Sequence, residues 1–226
     1  MCLQAVPVDK SGRPTGGALV PVGLVPGAKK SRCSGKGFGR RVAIMGTSKS
    51  DRITGTNKSD RIFVFGGDDF VSAGRGNDCI EGGKGKDRLD GSTGRDYLLG
   101  GPGHNLLIGG SSSDHLYGGP SNDRIDGGVG GDVIKGGKGN DKINAGAGND
   151  RVDAGAGRDS ITTGSGRKDF VSAGSGVDRI NSANAGSPAK VKCGKGRDTV
   201  RLNPNEIKRS RSCEQMYVVR YRKKKK

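Results

Sequence analysis

Tryptophan is absent from this 226-residue chain and aromatic side chains make up 4% of it. That leaves little of the stacking surface on which single-stranded nucleic-acid recognition depends, so sequence-specific nucleic-acid binding is not expected. Apolar residues are also scarce, at 30%, and no apolar run approaches the ~20 residues a membrane-crossing helix needs. The amino terminus has no basic start followed by a sustained apolar stretch and a cleavage site. The expectation is therefore a start lying upstream, or an export route that uses no such leader. None of the five cysteines, at 2, 33, 79, 193 and 213, belongs to a C-x-x-C pair of the kind that holds zinc.

What the chain does have is glycine, 44 residues of it, set on a nine-residue period. An Asp or Asn stands at 51, 60, 69, 78, 87, 96, 105, 114, 123, 132, 141, 150 and 159 without a slip. Two residues after each comes an aliphatic: Ile53, Ile62, Val71, Ile80, Leu89, Leu98, Leu107, Leu116, Ile125, Ile134, Ile143, Val152 and Ile161. The period slips by one residue to Asp169 and Val171, resumes at Asp178 and Ile180, and returns after an insertion at Asp198 and Val200. Repetition on this scale decides the fold before local propensity does.

The fullest copies are GGKGKDRLD at 82–90 and GGKGNDKIN at 136–144. Each reads as a glycine-rich six-residue turn and a three-residue strand with an apolar middle residue. So short a strand cannot stand alone, and the glycines leave no room for a helix. Stacking rescues the unit: if each nonapeptide is half a coil, two build an 18-residue coil with two facing parallel strands, and the aliphatics share one narrow core. Each buried aliphatic contributes roughly 1.5–3 kcal/mol, so several coils are needed. About eight coils at ~4.8 Å give a stack on the order of 40 Å long with two ends to cap.

Half-coil repeats sort the acidic positions into two ladders. One holds Asp51, Asp69, Asp87, Asn105, Asp123, Asp141, Asp159 and Asp178; the other holds Asp60, Asp78, Asp96, Asp114, Asp132, Asp150 and Asp169. Carboxylates from successive coils would lie about 5 Å apart, where repulsion of roughly 3–4 kcal/mol per pair calls for a cation between them. Carboxylates with glycine-turn carbonyls are the hard, flexible oxygen set that Ca²⁺ prefers and that suits Mg²⁺ poorly. The bland alternative is that each Asp caps its turn by accepting backbone N–H bonds; for a stacked ladder the metal reading is preferred.

The spacing Gly82, Gly83, Gly85, Asp87, Leu89, repeated as Gly136, Gly137, Gly139, Asp141, Ile143, resembles the haemolysin-type (repeats-in-toxin, RTX) calcium-binding nonapeptide. The resemblance spans about residues 47–202. It implies an all-β fold, a parallel β-roll (a right-handed β-helix or solenoid) of stacked nonapeptides, with several Ca²⁺ ions bound between turns, folding on ion binding, and export. Ten residues match the ligand position within recognisable turns: Asp78, Asp87, Asp96, Asp114, Asp123, Asp132, Asp141, Asp150, Asp159 and Asp178.

Several turns depart from the pattern. GTNKSD at 55–60 and VFGGDD at 64–69 lack most of the glycines, and Asn105 replaces a carboxylate. Ser112 and Ser121 replace fourth-position glycines, and an extra residue near Lys168 distorts the turn before Asp169. Calcium is accordingly expected to be densest around Asp123, Asp141 and Asp159 on one edge and Asp132 and Asp150 on the other, with some turns vacant.

Net charge is +17, but residues 51–184 carry 17 Lys and Arg against 19 Asp and Glu. The poles are basic and the array is nearly neutral. Pairs such as Arg88 with Asp90, Arg124 with Asp126 and Arg151 with Asp153 are expected on outer strand faces as weak cross-strand ion pairs. The run Arg220–Lys226 is either a polyanion-binding arm or a solubilising tail. Cysteine placement suggests staples at both ends. The segment from VKCGKGRDTVRL to RSRSCE is similar to a closing cap of secreted relatives, which points to Cys193 with Cys213; Cys33 with Cys79 would close the other end and leave Cys2 unpaired. Disulfides and abundant calcium both indicate an extracellular setting.

The expected organisation is a basic N-terminal segment and cap at 1–46, an array at 47–202 and a C-terminal cap and tail at 203–226, and no catalytic domain is expected within flanks of that length. Accidental nucleotide-motif hits around Gly74 and Gly76 have no strand-to-helix unit to support them. His104 and His115, the two histidines, fall at turn or outward positions with no nucleophile beside them. The resulting expectation is a non-enzymatic, secreted calcium-binding β-roll that is structural or surface-associated. The alternatives are an adhesion module that binds acidic polysaccharide or another polyanion through basic termini, and a non-catalytic part of an exported enzyme or toxin system.

Overall fold

The computed structural model describes residues 43–166, 168–182, 190–202 and 213–218. Among the described residues nineteen short strands run from β1 (Ala43–Met45) and β2 (Arg52–Thr54) to β17 (Lys190–Lys195), β18 (Thr199–Leu202) and β19 (Gln215–Val218). Odd-numbered strands from β1 to β17 form a nine-stranded sheet; even-numbered strands from β2 to β18, with β19 beyond, form a ten-stranded one. Each neighbouring pair is parallel, and Ile44 pairs with Ile62, Val71 with Leu89 and Ile134 with Val152, mostly one 18-residue coil apart. This is the parallel β-roll that the period predicts.

The core is built around a column of stacked aliphatics. Residues from Ile62 to Val200 at the eighth repeat position are at most 2% exposed, and Ile53 at the first coils is 9% exposed. A second inward row was not read from the sequence: the first turn residue also points inside, which buries Val64, Ala73, Ala145, Ala154, Ala173, Cys193 and Leu202. Pairing therefore continues past the three expected residues. Strands such as Arg88–Thr93, Arg124–Val129 and Val133–Lys138 are six residues long. What lets the chain swing from strand into turn without leaving the ladder is backbone that glycine supplies, as at Gly83 (φ +89°) and Gly85 (φ +135°). Ser112 adopts the same left-handed conformation, φ +82°, so its turn keeps its course despite the missing glycine.

The sheets continue beyond 47–202 at both ends. Strand β1 adds Ile44 to the core, and β19 extends the second sheet with Met216 in register with Val200. Val191 is a further core residue, paired with Val171; no acid precedes it at the ladder position, so the Asp-to-aliphatic rule passed over it. At the carboxyl end Cys193 and Cys213 form a disulfide, as the sequence indicated, with Cys193 buried in the core column and Cys213 packed against it. Cys79 is buried and disulfide-bonded, while Cys2 and Cys33 lie outside the described residues, as does the basic run at 220–226.

The outer faces differ from expectation in one respect. Arg88 and Arg151 sit over aromatic rings of neighbouring strands, 5.7 Å from the Phe70 centroid and 4.9 Å from that of Phe170, rather than being defined by the acids two residues on. Asp90 accepts from Ser92 Oγ, and Asp126 accepts from Asn144 Nδ2. A guanidinium over a ring gains from the ring's negative face.

Candidate metal centre

Every Asp of the two ladders from Asp60 to Asp178 is buried, at most 3% exposed. The reason is local: strand residues alternate in and out, and the ladder residue, two before the inward aliphatic, points inward as well. The ladders are those expected. Asp51 N–H donates to Asp69 Oδ1, Asp69 N–H to Asp87 Oδ1, and so on through Asn105, Asp123, Asp141, Asp159, Asp178 and Asp198, at 2.7–3.0 Å. On the other edge the same bond runs from Asp60 through Asp78, Asp96, Asp114, Asp132 and Asp150 to Asp169. Even the seven-residue turn before Asp169 preserves it, at 3.0 Å.

From Asp69 and Asp78 onward, one oxygen of each carboxylate thus does what the bland reading required: it accepts from a backbone amide, here on the preceding coil. Successive carboxylates are linked through amides and do not simply face one another. The second oxygen is another matter. Oδ2 of Asp87, Asp96, Asp114, Asp123, Asp132, Asp141, Asp150, Asp159 and Asp178 is buried with no hydrogen-bond partner. Asp69 and Asp198, which the sequence reading left out of the ligand set, have the same orphaned oxygen. The signal for Asp198 was available in CGKGRD, with Gly194 and Gly196 at φ +101° and +133°.

Burial without a partner is unfavourable for an anion. It pushes the Asp96 carboxyl up to about 8, those of Asp114 and Asp150 to about 7, and those of Asp123, Asp132, Asp141, Asp159 and Asp178 to about 6. The accepted N–H bond pulls each back only in part, and in most the neighbouring carboxylates push further upward.

Asn105 reveals what surrounds that second atom. Its Nδ2 donates to Gly101 O and Gly103 O, both at 3.1 Å. Gly101 and Gly103 have φ +91° and +136°, against +89° and +135° for Gly83 and Gly85 in the Asp87 turn. A Cβ placed on Gly82 would lie 2.6 Å from Asp87 Oδ2, and one on Gly100 would lie 2.7 Å from Asn105 Nδ2. The two atoms therefore occupy equivalent places, next to carbonyls four and two residues earlier. In an Asp turn this gathers three oxygens and no donor, an arrangement that fits a hard cation. Among the described residues no three acidic, His or Cys side chains converge on one point, so a cation in such a turn would rest on carboxylate and carbonyl oxygens together.

His104 and His115 do not meet. His104 is exposed in a turn with Nδ1 3.0 Å from Asn122 O, while His115 stacks on Tyr97 on the outer face of the odd-numbered sheet. No helix of the described residues is long and apolar enough to cross a membrane.

Coils of this kind, with stacked acidic turns around a narrow apolar core, define a β-solenoid suited to holding ions in its turns, a structural calcium-binding module rather than a catalytic fold. The RTX calcium-binding nonapeptide repeat matches in overlapping stretches, residues 45–80, 64–98, 80–107, 99–134 and 126–161, together just over half the chain, and the chain belongs to that family. No individual curated protein matches it.

Proposed function

We propose that this chain is a secreted calcium-binding β-roll, a structural or surface-associated module whose coils are completed by extracellular Ca²⁺. The observation that carries the reading is the row of buried, donor-less Oδ2 atoms, which hold the place that Asn105 Nδ2 holds against two turn carbonyls. The proposed ligands are Asp78, Asp87, Asp96, Asp114, Asp123, Asp132, Asp141, Asp150, Asp159 and Asp178, joined by Asp69 and Asp198. Calcium bound there would neutralise the buried carboxylates, so its binding free energy becomes folding free energy. The Cys193–Cys213 disulfide supports an oxidising compartment, where calcium is abundant enough for sites of about 10⁻⁴–10⁻³ M.

The test is circular dichroism of the full chain with Ca²⁺ and with excess chelator, beside Asp141→Ala. The wild type should gain β signal on adding Ca²⁺, and the variant should need more Ca²⁺ to reach it. A β spectrum that chelator leaves unchanged would overturn the reading.

A second reading, polyanion binding, draws on one feature of the roll: Lys86, Arg88 and Arg124 line an open groove of about 490 Å³ beside the Asn105 turn. In that reading calcium serves stability alone and cationic side chains hold the partner.

A further inference from the structure

Asn105 resolves within the chain what the aspartates leave open. Its Oδ1 accepts the Asp87 N–H at 3.0 Å, which fixes the orientation of the amide, because that N–H requires an acceptor. Nδ2 then faces the two turn carbonyls and bonds both. Where Asp87 presents a third acceptor to Gly83 and Gly85, Asn105 presents a two-proton donor to Gly101 and Gly103.

Two other turns reach the same end by a different route. In the first coil, Asp51 Oδ2 accepts from Thr47 N–H at 2.6 Å and Thr47 Oγ1 at 2.9 Å. Asp60 Oδ2 accepts from Thr56 N–H and Oγ1 at the same two distances. Threonine here replaces the second-position glycine that elsewhere takes positive φ, and neither Thr47 nor Thr56 adopts that conformation. The turn amide consequently points at the carboxylate, and the hydroxyl adds a second donor.

Resting on the reading of the orphaned Oδ2 atoms as calcium ligands, we infer that Asn105, Thr47 and Thr56 determine which turns take metal. Each supplies a donor where the other turns need a cation, so the turns at 46–51, 55–60 and 100–105 close without calcium. The Asn105 turn is a latent metal site: its carbonyls and backbone are those of a calcium turn, and a carboxylate in place of the amide opens it.

The decisive experiment is ion counting on the full, disulfide-intact chain, by native mass spectrometry and calcium titration calorimetry, for wild type, Asn105→Asp and Asp87→Asn. Asn105→Asp should bind about one ion more than wild type and show less β signal in chelator. Asp87→Asn should bind about one ion fewer and hold more β signal in chelator. If Asn105→Asp takes no extra ion, or fails to fold even in saturating calcium, the amide is not standing in for a cation and the inference fails. The same holds if Asp87→Asn shows no more β signal in chelator than wild type. If wild type itself binds no calcium, the underlying reading of the aspartates fails instead, and the inference with it.

Discussion

The first coil and the coils between Gly127 and Asp159 carry the same acidic ladder on the same parallel scaffold, yet they treat the second carboxylate oxygen in opposite ways. In GTSKSD and GTNKSD, Thr47 and Thr56 give that oxygen two donors each. In the turns ending at Asp132, Asp141, Asp150 and Asp159 it is buried with none. The aliphatic register is shared, with Ile53 and Ile62 in the same column as Ile134, Ile143 and Val152, whereas pairing runs on into the turn only in central strands such as Val133–Lys138 and Arg151–Ala156. A difference in calcium dependence is therefore expected to arise in the turns. The substitution of threonine for a left-handed glycine separates a self-satisfied turn from one that fits a cation.

The largest expected effect follows directly. In chelator, amide hydrogen exchange should accelerate most for Lys142–Asn144 and Arg151–Ala156, while Arg52–Thr54 and Arg61–Phe63 keep more of their protection. Adding Ca²⁺ should close the gap. Equal protection of both regions in chelator would break the comparison, since removing the cation would then cost the central turns nothing extra.

pH sharpens it. Burial holds the folded, metal-free carboxyls at about 6 to about 8, above their ordinary value of 3.8. The folded chain therefore binds more protons than the unfolded chain between about pH 4 and pH 8, and its stability must rise as pH falls through that window. A proton partly does the work of the cation. With chelator present, denaturant midpoints should increase from pH 8 to pH 5. With calcium present the trend should reverse, because protons compete for the same oxygens and apparent affinity drops as pH falls through about 7 to 6. A calcium-free stability that instead falls steadily on acidification would refute the burial argument.

Much of this was legible in the sequence, and the losses have physical causes. Period and alternation located the position-eight column and both ladders, because stacking leaves no other register that buries Leu89, Leu98 and Leu107 together. Val191 escaped because it lacks the acid that marked its peers, although its pairing with Val171 needs only the aliphatic. Glu214, whose Oε2 accepts the Asp198 N–H at 3.1 Å, escaped because it stands 16 residues on and is not an aspartate; its longer side chain makes up the difference. The division of labour within each carboxylate depends on side-chain orientation, which spacing does not encode. The role of Thr56 was hidden for the same reason: a missing glycine read as a degraded turn, whereas it is a turn with its own donors.

The carboxyl end offers a smaller effect. There the last coil is tied by Cys193–Cys213 across 20 residues, and a loop of that size is worth about 2–4 kcal/mol in the chain-entropy account. Cys213→Ser should speed exchange in Gln215–Val218 and Thr199–Leu202 and leave the central strands as they were. Loss of protection throughout the roll would mean that the cap nucleates the stack instead of closing it.

The smallest expected effect on the fold comes from the basic tail, and it separates the two functional readings. Lys223–Lys226 follow the last described strand in sequence, so deleting them removes none of the described core or ladder residues. The calcium dependence of the β signal should be unchanged. If the tail is a polyanion-binding arm, the deletion should weaken heparin binding and flatten its dependence on salt, since fewer counterions are released. If it is a solubilising tail, neither changes and the intact chain ignores heparin at physiological salt. A third outcome would move the site: heparin binding that survives deletion but requires calcium would place the partner on the roll. Neutralising the ladder carboxylates would then leave Lys86, Arg88 and Arg124 uncompensated beside their groove, and Arg88→Ala with Arg124→Ala should abolish the binding while ion counts stay at the wild-type value.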